Sequence, residues 1–143
     1  MHYLIAVIAA LTIATFGSGC GSDSDPTGPT AMTIDADQEQ IIGQWEWDYS
    51  FGGIAGMQID PESTGQTRKL IFDGQQLQQF VNDSLRQSNS YDLAMDQTIF
   101  DLDSVPVVRL DGVTTFTYTF EDANLLILND NFVDGFAHHY RRD

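Results

Sequence analysis

Neither lysine nor arginine occurs before Arg68. Across all 143 residues there are six basic side chains against 21 acidic ones, a formal charge of -15. A surface of that sign repels phosphate backbones and anionic headgroups, which excludes nucleic acid as a partner and a bare anionic bilayer as a docking surface. Cysteine is nearly absent too. Cys20 stands alone, so no intramolecular disulfide can staple the fold. No Gly-Lys-Ser/Thr follows the glycine-rich stretch at 52–56, so a phosphate cradle of that kind is excluded. Stretches of useful length with helical period are also missing. The length suits one domain, and a hydrophobic fraction of 42% is enough to build a core, so the acidity reads as a solvating surface on a folded chain.

What is present begins with an apolar run from Tyr3 to Phe16. It is shorter than the ~20 residues a bilayer span needs and fits the apolar core of a secretory signal. Gly17-Ser18-Gly19 and then Cys20 follow, a pattern that resembles a bacterial lipoprotein signal. It departs from the usual motif in carrying Gly17 three places before the cysteine and no Lys or Arg in the leader. The resemblance implies a signal peptide over 1–19, a lipid on Cys20 and attachment to a membrane, most simply the outer membrane of the cell envelope. The stretch 20–37 is rich in Ser, Asp, Gly, Thr and Pro and reads as a flexible tether, leaving 38–143 as the domain.

The domain is organised around Gly43 to Phe51. Trp45, Trp47, Tyr49 and Phe51 alternate with Gln44, Glu46, Asp48 and Ser50, which predicts a strand with the four aromatics on its buried face. Further strands are expected at 67–73, 75–81 (with a bulge), 85–93, 98–103, 107–110, 113–121, 125–129 and 136–142, broken by turn signals such as Asp73-Gly74 and Asp111-Gly112. Ala36 to Ile42 has the makings of one helical turn. Eight or nine short strands without helical crossovers predict an all-β antiparallel up-and-down meander, closed into a small barrel to remove its edges. A two-sheet sandwich is the alternative.

Gly43-x-Trp45 at the start of the first strand resembles the Gly-x-Trp motif of calycins, the lipocalins and fatty-acid-binding proteins. With Trp45-Glu46-Trp47, Gly52-Gly53-Ile54-Ala55-Gly56, Pro61-Glu62-Ser63-Thr64-Gly65, Leu70-Ile71-Phe72, Leu126-Ile127-Leu128 and the closing Asp134-Gly135 to Arg142, the chain is similar to the lipocalin-like domain of small bacterial lipoproteins over 41–142. The resemblance implies a barrel with room for an apolar small molecule and no established activity. It also implies a basic residue of the last strand lying across Trp45. Arg141 and Arg142 are both available, and if Phe136 and Tyr140 point inward, parity selects Arg142.

Candidate chemistry is sparse. His138-His139 are neighbours on one strand and point to opposite faces, so they cannot jointly grip an ion. Asn129-Asp130-Asn131 lacks calcium-loop spacing because Val133 occupies a ligand position. Local context supports no Ser/His/Asp set, and Asp101 and Asp103 read as a solvated face. The expectation is a non-enzymatic protein without metal or cofactor. Its cavity candidates are Trp47, Tyr49, Phe51, Phe72, Tyr91, Phe100, Phe116, Tyr118 and Tyr140, and Gly43, Trp45 and Arg142 close the barrel. Leu70, Leu102 and Phe120 are also expected inside. An eight-stranded barrel either fills its interior or holds one small ligand. Two readings follow, a binding barrel for a small apolar or amphipathic molecule and an envelope structural or interaction module with a solid core.

Overall fold

The computed structural model describes residues 29–143, with side chains from residue 34 onward. The leader, Cys20 and the start of the tether lie outside the described residues. The elements are α1 (Pro29–Ile41), β1 (Gly43–Gly52), β2 (Met57–Ile59), α2 (Pro61–Thr64), β3 (Arg68–Phe72), β4 (Gln76–Val81), β5 (Ser84–Asp96), β6 (Val105–Leu110), β7 (Val113–Asp122), β8 (Leu125–Asp130) and β9 (Phe136–Arg142). From β3 onward every strand pairs antiparallel with the next, and β9 returns to pair with β1, closing an eight-stranded barrel. The ninth strand, β2, is short. It pairs with Ser50 to Gly52 on the edge of β1 that β3 holds at Gly43 to Glu46.

Turn chemistry explains the tight connections. Asn82 and Asp83 adopt φ of 48° and 58°, and Asp111 and Gly112 adopt 49° and 80°, the double positive φ that matches strand twist in a two-residue hairpin. At the β3–β4 turn, the Asp73 carboxylate accepts the N–H groups of Gln75 (2.9 Å) and Gln76 (2.7 Å). Those bonds hold its carboxyl below the ordinary 3.8.

Three features depart from the pattern of the sequence. Residues 29–37, assigned by composition to the tether, are helical, with Pro29 opening the helix where its missing N–H costs nothing. Ile34 of this helix packs against the core, and the Asp37 carboxylate accepts the Tyr118 hydroxyl at 2.8 Å, so the boundary expected at residue 38 falls inside α1. Secondly, 98–103 is no strand. β5 runs on to Asp96, and β6 pairs with it directly. The Thr98 hydroxyl accepts the N–H groups of Phe100 (3.2 Å) and Asp101 (3.0 Å), a local side-chain turn that competes with extended pairing. Phe100 and Leu102, expected inside, are 62% and 89% exposed.

The third departure lies in β1. Trp47 pairs with Tyr140 and Tyr49 with His139, which leaves Asp48 as an extra, bulged residue. Arg141 Nε donates to Asp48 Oδ2 at 2.8 Å and holds the bulge. Every side chain beyond it changes face. Ser50 is fully buried, whereas Phe51 is 53% exposed and Tyr49 stacks on His139 at 4.1 Å. Tyr49 and Phe51, expected among the interior rings, therefore lie on the outer wall.

Candidate ligand-binding site

The closed end is built first. Trp45 is fully buried, and its indole N–H donates to the Ile41 carbonyl at 2.8 Å, tying α1 across the barrel floor. The Arg142 guanidinium carbon lies 4.3 Å from the centre of the Trp45 ring. Its N–H groups donate to the carbonyls of Ile42 (3.1 Å), Ala123 (3.3 Å) and Gln40. Gly43 has φ 134°, and an added Cβ would fall 2.9 Å from Arg142 Nη1. Glycine is what lets the guanidinium lie flat there.

Above this floor is a cavity of about 310 Å³. Leu70, Leu77, Phe116 and Leu128 supply apolar wall, and Arg68, Arg86, Asp130, His138 and Tyr140 supply polar groups. Gln66, Gln79, Phe80 and Val81 complete the lining. Arg68 shares the inward parity of Leu70 and Phe72 on β3, and its guanidinium carbon sits 4.3 Å from the Trp47 ring centre. Arg86 arrives by a bulge. Gln79 pairs with Gln87 and Phe80 with Leu85, so Arg86 is the extra residue of β5, re-aimed toward the cavity. Among the described residues neither Arg68 nor Arg86 has an acidic partner, whereas Lys69, Arg109 and Arg141 each do. Burial pushes the Tyr140 hydroxyl up, with Arg68 opposing, so Tyr140 stays a neutral donor.

One wall of the cavity is braced by a buried chain of hydrogen bonds. Trp47 Nε1 donates to Ser50 Oγ at 2.8 Å. Ser50 Oγ lies 2.7 Å from His138 Nδ1, and His138 Nε2 lies 3.3 Å from Asp130 Oδ1. Asp130 Oδ2 accepts the Phe136 N–H at 2.9 Å. The indole can only donate and a carboxylate only accepts, so Ser50 Oγ accepts from Trp47 and, with a neutral imidazole, the serine hydroxyl donates to His138 Nδ1 while Nε2–H donates to Asp130. Sequence context showed no Ser/His/Asp set, and these three come together only through barrel closure and the bulge at Asp48. Ser50 is fully buried and does not line the cavity, so the trio fixes the ring of His138 and offers no nucleophile to a ligand.

The cavity candidates divide accordingly. Phe116 and Tyr140 line the cavity. Trp47 lies behind Arg68. Phe72 and Tyr91 meet edge to face at 4.9 Å in the packed core, and Tyr118 is buried beside α1 through its bond to Asp37. Phe100, like Tyr49 and Phe51, is outside. Arg68 was legible from its parity with Leu70 and Phe72. His138 shares the β9 parity of Tyr140, so one histidine of the pair was expected inward, whereas Arg86 and Asp130 carried no local signal, because a bulge and barrel closure bring them in. Among the described residues no three His, Cys, Asp or Glu side chains converge to hold a metal ion. Comparison with known proteins returned no match, whether family model, curated protein or solved structure.

Proposed function

We propose that this protein is a lipid-anchored, lipocalin-like barrel of the cell envelope that carries a small amphipathic molecule, its apolar body among Leu70, Leu77, Phe116 and Leu128 and an acidic head at Arg68. The observation that carries the proposal is an inward-facing guanidinium that makes no ion pair among the described residues, at the wall of a cavity of mixed polar and apolar lining. A ligand carboxylate or phosphate would pair with this half-buried guanidinium through charge-assisted hydrogen bonds. In a chain with only six basic residues, two of them, the half-buried Arg68 and the exposed Arg86, line one cavity. The cavity volume lies near the lower end of the usual range for ligand pockets, which favours a compact or medium-chain amphiphile. The barrel, the Gly43-x-Trp45 motif and Arg142 over Trp45 support the lipocalin-like reading, and Cys20 after the leader supports the anchor.

Trp47 touches Arg68, so its fluorescence reports on the site. A panel of medium-chain acids, their alcohols and apolar probes should produce saturable one-to-one changes with the acids. The absence of a saturable change with any member would overturn the binding reading. For the anchor, Cys20→Ser should move the protein from the membrane fraction to the soluble fraction. An unchanged distribution would remove that part of the proposal.

A further inference from the structure

Two of the rings that left the interior share a surface cleft with two others. Phe51, Phe100, Phe132 and Phe136 line a cleft of about 300 Å³, with Asp134 and Asp130 beside them. Phe51, Phe100 and Phe132 are 53%, 62% and 55% exposed. Three half-exposed phenyl rings lining one cleft offer an aromatic surface to a ligand. The surrounding backbone is tied in place. Ile99 N–H donates to Asn131 Oδ1 at 3.0 Å, Gly135 N–H to the Phe132 carbonyl at 3.1 Å and Gly53 N–H to the Gly135 carbonyl at 3.2 Å. An added Cβ at Gly135 would fall 2.5 Å from Asp130 Cβ, so that turn admits only glycine. The four rings are thus presented by segments already joined to one another, which lowers the ordering cost of binding.

The chemistry of the lining selects an occupant. Phenyl faces carry negative electrostatic potential, carboxylates stand beside them, and no Lys or Arg is in the cleft of this -15 chain. An anionic or phosphate-bearing ligand is repelled. A bare ammonium needs hydrogen-bond acceptors on several sides, which phenyl rings do not give. An alkylated ammonium carries its charge on methyl groups, donates no hydrogen bonds and is attracted to aromatic faces. We infer that the cleft, which shares only Asp130 with the lining of the interior cavity, binds a quaternary ammonium group of the choline type. Asp134, at the rim with φ 61°, supplies the countercharge, and the half-exposed rings supply the aromatic contact.

The group could belong to a free solute or to a lipid headgroup, so the test has two arms. Purified protein is titrated by calorimetry with choline and with neohexanol, the uncharged isostere in which carbon replaces nitrogen. Choline should bind saturably and at least about fivefold tighter than neohexanol. The double variant Phe100→Leu, Phe132→Leu, at exposed positions the fold can spare, should lose about tenfold in choline affinity with an unchanged circular dichroism spectrum. In the second arm, sedimentation with phosphatidylcholine vesicles but not phosphatidylglycerol vesicles, sensitive to the same double variant, would identify a headgroup as the source and support the assignment. Equal affinity for neohexanol and choline, full affinity in the leucine variant, or no binding in either arm would overturn it.

Discussion

The guanidinium of Arg68 lies over the indole of Trp47, 4.3 Å from the ring centre, on the wall of the interior cavity. The same separation recurs at the barrel floor between Arg142 and Trp45. The two contacts differ in what else the arginine does. Arg142 spends its donors on three backbone carbonyls. The Arg68 guanidinium makes no hydrogen bond among the described residues and lines the cavity. One arginine closes the barrel floor, and the other faces the cavity.

Removing the floor arginine should be expensive. Arg142→Ala deletes a partly desolvated cation–π contact and leaves the carbonyls of Gln40, Ile42 and Ala123 short of a donor, a combined loss of about 2–4 kcal/mol. Arg142→Lys should recover less than half, because a single ammonium cannot reach three carbonyls and stack at once. Urea denaturation measures both. A loss of about 0.5 kcal/mol or less for the alanine variant would mean that α1 and Trp45 hold the floor without it.

Ser50 is the joint between an indole donor and an imidazole acceptor. Ser50→Ala leaves the Trp47 N–H buried without an acceptor and His138 Nδ1 without a donor, so stability should fall by about 1–3 kcal/mol. The Trp47 indole proton should also move in a proton–nitrogen correlation spectrum, while that of Trp45, bonded to Ile41, stays in place. Unchanged stability together with an unmoved Trp47 resonance would show the chain of bonds to be absent in solution.

The turn at Asp73 makes a prediction about pH. The N–H groups of Gln76 and Gln75 hold the Asp73 carboxyl below 3.8, so the folded protein favours the charged form. Stability from a depressed carboxyl is fully present above the ordinary value and is lost as pH falls through the lowered one. Asp73→Asn keeps an acceptor and removes the charge. The melting temperature of the parent should exceed that of Asp73→Asn by a constant margin from about pH 8 to pH 5, and the gap should close in the acid range below 3.8. A gap that does not change with pH would show that charge plays no part in the turn.

Most of the barrel was legible from residues. Alternation placed Trp45 and Trp47 inside, Asp73-Gly74 and Asp111-Gly112 marked their hairpins, and parity along β9 put Arg142 over Trp45. What was not legible follows from one geometric fact. Strand parity survives only until a bulge, and neither Asp48 nor Arg86 announces itself as the extra residue. The bulge at Asp48 exchanged Phe51 for Ser50 on the inner face and thereby made both the buried chain to His138 and one ring of the outer cleft. The 98–103 segment failed for a different reason. Its alternation of Phe100 and Leu102 with Asp101 and Asp103 is genuine, yet β5 and β6 already satisfy each other and leave it no edge to join.

The central claim is that the interior receives an acidic amphiphile through Arg68. Calorimetric titration of the parent and of Arg68→Gln with decanoate and with decanol tests it most directly, since the two ligands differ only at the head. The account predicts one-to-one binding of decanoate to the parent, a loss of about 10- to 100-fold in Arg68→Gln, and decanol affinity equal in both proteins. Equal binding of acid and alcohol by the parent, or decanoate affinity untouched by the substitution, would contradict it.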